Sequence, residues 1–416
     1  MTWLPIEDYK DREQSYGCAR YVINVSRSRL RFSSNSGVVC DRNPAGENWM
    51  GHKTAIQYPH VVYVDGFAGP WQSAHEDFQD TSFGVALNAL SGAKNSWKAS
   101  GRDVHMSAHL IERDPDAYKK LASVPSRYPD ITVRTYEGDF FTVLPIILSE
   151  IPTDSFAFFL IDPKGWRLPL MALAPLLRRA NSEVIFNFMF DFINRAASIR
   201  DPAVFAGLNE LIPFGDWRQR LEAAERDSAS PDVRKSILVE AFADCLASVG
   251  QYRYVAETTV LRPVKDRPLY CLFYATRHPT GIEVFRDSQI KALEEQSRAR
   301  ATGKVRHAEA TTGQREIFES LHDMAPNELA AFLETQRQEA KALLLRLTPD
   351  SPATIRYRDL WPQILARLVV RHSDVNKITA QLRQNGLVAI PGWEKGRRVP
   401  QPEYRVQKAA MTPRYS

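Results

Sequence analysis

Four acidic residues pose the chemical question for this 416-residue chain: Asp65, Glu112, Asp139 and Asp162, each just after a short apolar run. Asp65 opens the string Asp65-Gly66-Phe67-Ala68-Gly69, where glycines let the backbone turn tightly and bring its amides close to a small ligand. Glu112, followed by Arg113, offers a carboxylate able to accept two parallel hydrogen bonds, such as those of the two ribose hydroxyls. Asp139 and Phe140 suit an adenine, the carboxylate accepting from its amino group and the ring packing on its face. In Asp162-Pro163-Lys164-Gly165-Trp166, an orienting acceptor or base stands beside a cation and a ring. Taken singly, each has a plainer reading: Asp65 a helix N-cap, Glu112 a surface charge, Asp139 a local turn former, Asp162-Pro163 a turn opener. Their recurrence at the ends of successive apolar runs carries the argument. The chain lacks Gly-x-Gly-x-x-Gly at these turns and lacks Gly-Lys-Ser/Thr, which disfavours NAD and ATP. His60, His75, His105, His109 and His278 have no ligand spacing, so no metal site is expected.

The elements that must position these residues are strands. Runs at His60–Val64, Ser107–Ile111, Thr132–Tyr136, Ala157–Ile161 and Val184–Phe188 alternate with helical stretches, the pattern of a mainly parallel sheet covered by helices. Two more runs, Tyr252–Leu261 and Tyr270–Thr276, flank a Pro-rich charged linker from Arg262 to Pro268 that suits a hairpin. The expected fold class is therefore α/β: a seven-stranded, doubly wound, Rossmann-like sheet closed by an antiparallel pair. In an open sheet of this kind, strand carboxyl ends meet at the crevice where ligands bind. Phe186, Phe188, Phe190 and Phe192 alternate and read as core, while Asn187, Asp191 and Arg195 among them are harder to assign to packing.

Composition bounds the alternatives. With 44% hydrophobic and 25% charged residues the chain reads as globular, and its size indicates two or three domains. No apolar run approaches a membrane span and the first residues do not resemble a signal peptide, so a cytoplasmic protein is expected. Cys18, Cys40, Cys245 and Cys271 are too scattered for a zinc knuckle or a disulfide framework. The expected divisions are an irregular N-terminal segment (1–58), the α/β domain (59–286), a helical connector (287–350) and a small domain (351–416). Asp11 to about Leu30 reads as a helix, Ser26–Cys40 as weakly ordered, and the stretch bracketed by Gly303 and Gly313 as a loop.

Charge is concentrated at the end. From Ser351 onward there are 12 Lys and Arg against 4 Asp and Glu, whereas the preceding residues are slightly acidic. Helices at Tyr357–Val370 and Ser373–Gln384, then strands at Leu387–Ile390 and Glu403–Gln407, follow the order of a winged helix-turn-helix. Lys377 and Arg383 on its second helix, with Lys395, Arg397 and Arg398 on its wing, become candidate contacts to DNA or RNA. Winged helices also serve as protein-protein modules, and that reading stays open.

The strings YVDGFAGPW, EDFQDTSFGVALNAL, LIERDPDAYKKL, TYEGDF, FFLIDPKGW, EVIFNFMFDFINRA and LFYATRHPTGIEVF are similar to those of the bacterial three-Cys-motif partner family, from about Pro59 onward. The four strand-end clusters together also resemble a class I S-adenosylmethionine-dependent methyltransferase. These resemblances imply S-adenosyl-L-methionine as cofactor, a C-terminal winged helix and a partner protein with a three-cysteine signature similar to radical S-adenosylmethionine enzymes. They place Asp65, Gly66, Phe67, Ala68 and Gly69 at the methionine moiety, Glu112 and Arg113 at the ribose, and Asp139 and Phe140 at the adenine. Asp162, Lys164 and Trp166 fall on the acceptor side. Asp162-Pro-Lys-Gly-Trp is similar to the Asp-Pro-Pro-aromatic motif of amino-group methyltransferases. Lys164 and Gly165 replace its second proline and ring, and Trp166 comes one place later. Residues 20–58 depart from the family pattern. The implied function is methyl transfer to nucleic acid or a nucleotide-like substrate; the competing one is a non-catalytic adaptor or sensor on the same fold.

Overall fold

Strands buried on both faces must be apolar along their whole length, because helices cover each side of a parallel sheet. That is why His60-Val-Val-Tyr-Val-Asp65 and Phe156-Ala-Phe-Phe-Leu-Ile161 carry so little alternation. The computed structural model describes residues 58–69, 73, 78, 81–99, 101–163, 165–261, 267–312 and 319–409. The expectations for residues 1–57, for Lys164 and for most of the 262–268 linker lie outside them. The chain divides into two compact units, up to Arg277 and from His278.

In the first unit the elements run β1 (His60–Asp65), α1 (Ser82–Ala99), β2 (His105–Glu112), α2 (Pro115–Leu121), β3 (Thr132–Glu137), α3 (Phe140–Glu150), β4 (Phe156–Ile161), α4 (Ala174–Leu177), β5 (Ser182–Phe188), α5 (Phe190–Ala196), α6 (Pro202–Leu211), α7 (Trp217–Arg226), α8 (Pro231–Gly250), β6 (Tyr254–Leu261) and β7 (Pro268–Thr276). The sheet order is β3-β2-β1-β4-β5-β7-β6. Strands β1 to β5 pair in parallel, and β7 runs antiparallel to both β5 and β6. This is the expected doubly wound sheet with its closing hairpin, and the order is that of a methyltransferase-like Rossmann fold. The order steps from β1 outward to β2 and β3, then crosses to β4 and β5, which makes the carboxyl ends of β1 and β4 the switch point.

The core beneath β5 is aromatic. Phe186 and Phe188 each lie 4.7 Å from the Phe242 ring of α8, and Phe273 of β7 lies 4.8 Å from it. The alternation does not continue as read: β5 ends at Phe188 and residues 190–196 turn into α5, so Phe190 is buried while Phe192 faces outward at 40% exposure.

The second unit holds α9 (Pro279–Thr312), α10 (Glu319–Leu347), β8 (Ile355–Arg356), α11 (Tyr357–Arg367), α12 (His372–Gln384), β9 (Val388–Ala389) and β10 (Arg405–Lys408). Its three short strands pair antiparallel in the order β8-β10-β9. Two expectations change. Gly303 lies inside α9 rather than opening a loop, since the strong helix formers around it outweigh roughly 1 kcal/mol for one glycine. The compact units divide after Arg277 rather than after residue 286, and within the second unit Arg286 is fully buried and donates to Leu365 O (2.6 Å) and Ala366 O (3.1 Å) at the end of α11. Those carbonyls are orphaned by the helix terminus and need a donor. Among the described residues no helix is long and apolar enough to cross a membrane.

Candidate active site

Parallel pairing brings four carboxyl ends together: Asp65 pairs with Leu110 of β2 and Leu160 of β4, and Ile161 of β4 pairs with Phe186 of β5. The polar residues that follow these apolar strands therefore share one edge of the sheet.

Asp65 is fully buried, and both carboxylate oxygens are engaged. Oδ1 accepts from Phe67 N (3.1 Å), and Oδ2 accepts from Tyr63 OH (3.0 Å) and from Ser82 Oγ (3.0 Å) at the start of α1. Burial pushes its pKa up to about 6; the three donors oppose that rise and the nearby Asp162 adds to it. Asp65 thus builds the turn. The turn's amides are used as well, Gly66 N on Leu160 O (3.1 Å) and Ala68 N on Ile111 O (2.8 Å). The Gly66 and Ala68 amides thus stitch the β1 turn to β4 and β2, while that of Phe67 closes on Asp65 itself. A Cβ at position 66 would stand 3.1 Å from the Phe140 ring, tighter than ordinary contact, so the turn packs closely on that ring. Ala68 is buried, and Phe67 and Gly69 are half-buried.

Glu112 behaves differently. It is 4% exposed at the end of β2, and its Oε1 accepts from Asp114 N at 2.6 Å. Its second oxygen accepts nothing from the described residues. Asp114 in turn caps α2, accepting from the amides of Asp116 and Ala117, so the β2–α2 turn is rigid around the carboxylate. Arg113 is exposed.

The pair expected at an adenine lies at the start of α3. Asp139 is the exposed N-cap of α3, accepting from Phe141 N at 2.9 Å, which is its plainer reading. Phe140 is 2% exposed, packed beneath Gly66 and 5.3 Å from Phe67, and it presents no open ring face. Residues with few alternatives for burial take the core first.

Asp162 is half-buried, and its Oδ1 accepts from Asn187 Nδ2 of β5 at 2.6 Å. Burial raises its pKa and the Asn187 bond opposes the rise. Asn187 is 3% exposed and its Oδ1 has no partner among the described residues. Such a buried acceptor is uncommon enough to mark a site. Trp166 is half-buried against Gly207 of α6, where a Cβ would fall 2.8 Å from the indole. It is therefore fixed on the scaffold. Just past β5, buried Asp191 holds Arg195 (3.3 Å) and Arg267 (2.8 Å). Asn187, Asp191 and Arg195 stand out in the sequence without a role; Ser82 and Arg267 carry no sequence signal, because their contacts form only once α1 and β7 dock, and Tyr63 reads there as one more apolar strand residue.

In the second unit, Lys377, Lys395 and Arg398 are exposed. Arg383 is stacked 4.6 Å over Trp393, and Arg397 is held by Glu394 through Nε (2.9 Å) and Nη2 (2.7 Å).

No protein-family model and no curated protein matches the sequence. Among solved structures, the chain is similar to a loganic acid methyltransferase with SAH at 10% identity, covering 75% of this chain and 88% of that one, with a TM-score of 0.28. It is also similar to Trm1 from Pyrococcus horikoshii in complex with S-adenosyl-L-methionine, at 11% identity, covering 94% and 91%, with a TM-score of 0.30.

Proposed function

We propose that this chain is an S-adenosyl-L-methionine-dependent methyltransferase acting on nucleic acid or a nucleotide-like substrate, with a three-Cys-motif protein as partner and the basic second unit as a winged-helix nucleic-acid module. One observation carries the reading: Glu112, buried at the carboxyl end of β2, has one oxygen fixed by Asp114 N and the other unspent, beside the β1 turn at the switch point. A rigid, half-satisfied carboxylate in that place fits the vicinal hydroxyls of a ribose. When bound, the cofactor supplies an electrophilic methyl group on a sulfonium. The chain's own contribution is positioning: Asp65 ties the β1 turn to α1, Asn187 orients Asp162, and Trp166 is braced on α6. Asp162, with its raised pKa, is suited to accept a hydrogen bond or a proton from the acceptor nucleophile.

Calorimetric titration of the full-length protein with S-adenosylmethionine and S-adenosylhomocysteine tests this, with Glu112→Ala as control. Losing hydrogen bonds to a charged acceptor should weaken binding by roughly tenfold to a hundredfold. Absence of binding to the wild-type protein would overturn the reading in favour of an adaptor. Binding without transfer to any nucleic acid, and loss only of partner association in Asp162→Ala, would do the same.

A further inference from the structure

We propose that Arg195 and Arg267, anchored on buried Asp191 beside the exposed ring of Phe192, form a site for the phosphate and base of single-stranded nucleic acid. The inference rests on the methyltransferase reading and places substrate contacts within the catalytic unit itself, independently of the basic tail.

The position follows from topology. Strand β7 runs antiparallel to β5, with Asn187 paired to Leu272 and Phe188 to Cys271, so the residue leading into β7, Arg267, lies at the carboxyl edge of β5. Helix α5 begins two residues after β5 at the same edge and carries Asp191, Phe192 and Arg195. The cluster therefore stands at the end of the sheet that holds Asp162 and Asn187, where open α/β sheets take their ligands.

The chemistry is that of a prearranged cation pair. Asp191 has a side chain only 3% exposed, whereas those of Arg195 and Arg267 are 53% and 56% exposed. One guanidinium would neutralise one carboxylate; two leave a positive excess in the ion pair. Arg195 is held further by Nε to Asp191 O at 3.3 Å and by its guanidinium lying 4.9 Å over the Phe192 ring. Among the described residues, Nη1 of Arg195 and both Nε and Nη1 of Arg267 donate to nothing. Fixing two planar forks on a buried acid lowers the ordering cost of gripping a phosphate, and an arginine fork matches phosphate oxygens bidentately. Phe192, 40% exposed and carrying the Arg195 guanidinium over its ring, forms with it a stacked pair against which an unstacked base can lie. An aromatic face is of little use to a base still inside a duplex, so the occupant is single-stranded.

The test measures binding of a fluorescent oligothymidylate to full-length protein across a salt series, in the presence of S-adenosylhomocysteine. Arg195→Gln and Arg267→Gln should each flatten the slope of log affinity against log salt by roughly 0.7, the value for one phosphate contact to a single strand. Arg195→Lys should restore the slope. Phe192→Ala should weaken binding by roughly fivefold to a hundredfold at unchanged slope. S-adenosylhomocysteine affinity, measured in parallel, should stay at the wild-type value in every variant. Wild-type slopes in both Gln variants, or no oligothymidylate binding while S-adenosylhomocysteine still binds, would overturn this site alone. Failure of S-adenosylhomocysteine to bind the wild-type protein would overturn the methyltransferase reading as well.

Discussion

Asp65 gives the sharpest pH prediction because it is fully buried and carries a pKa near 6 in the folded chain against an ordinary 3.8. A carboxyl whose folded pKa exceeds its unfolded one holds its proton longer in the native state. Between about pH 4 and pH 6, therefore, the folded chain binds more protons than the unfolded chain and loses stability as pH rises. A rise of about two units corresponds to about 3 kcal/mol, absent below pH 4 and fully felt above pH 6. Asp65→Asn removes the titration while keeping an acceptor for Phe67 N–H, and the hydroxyls of Tyr63 and Ser82 can rotate to accept from the new amide. The variant should gain on the wild type as pH rises, by up to about 3 kcal/mol between pH 4 and pH 7. Amide hydrogen exchange of Val62, Tyr63 and Val64 reads this where it arises. The ratio of variant to wild-type protection at each pH cancels intrinsic exchange and ignores the second unit. A ratio constant with pH, or one falling as pH rises, would refute the account of Asp65 as a buried turn builder that pays a desolvation cost when charged.

Two further outcomes follow from packing. Gly207→Ala puts a Cβ 2.8 Å from the Trp166 ring, so it should displace the indole, shift tryptophan emission and destabilise the α/β unit by about 1–3 kcal/mol; an unchanged emission spectrum would show that the contact relaxes freely. Arg286→Met strips donors from the buried carbonyls of Leu365 and Ala366 and should cost the second unit about 2–4 kcal/mol, read as faster exchange along α11 with the sheet of the first unit unaffected.

Much of the sheet was legible in the sequence because burial on both faces forces each central strand to be apolar throughout, and a polar residue after such a run marks the strand's end. Asp65, Glu112 and Asp162 were found by that rule, and all three do end strands at one edge. The rule says nothing about what a strand-end carboxylate touches. Asp65 and Glu112 look alike in sequence, yet Asp65 is saturated by Tyr63, Phe67 and Ser82 while Glu112 keeps an oxygen unspent, a difference set by the hydroxyls of Tyr63 on β1 and Ser82 on α1 that converge on the second oxygen of Asp65. Ser82 lies 17 residues from Asp65, so no local pattern announces it. Phe140 shows the same limit: an aromatic after an acidic turn reads equally as a ring for a base or as a plug beneath Gly66, and its burial against the β1 turn has no local sequence signal.

The strand-to-helix change after Phe188 is the most consequential misreading. Phe-Asn-Phe-Met-Phe-Asp-Phe alternates as a strand would, but β4 ends at Ile161, and the last pairings of β5 are Ile161 with Phe186 and Phe188 with Cys271. Beyond them residues 190–196 leave the sheet, and the helix satisfies their backbone groups internally. The change of period from two to 3.6 residues then rotates Phe192 out of the core and sets Asp191 and Arg195 four residues apart, on one side of α5. An apparent core stripe becomes an exposed ring beside a pair of anchored arginines. The same step that ends the sheet thus creates the surface on which a single-stranded substrate would meet Asp162.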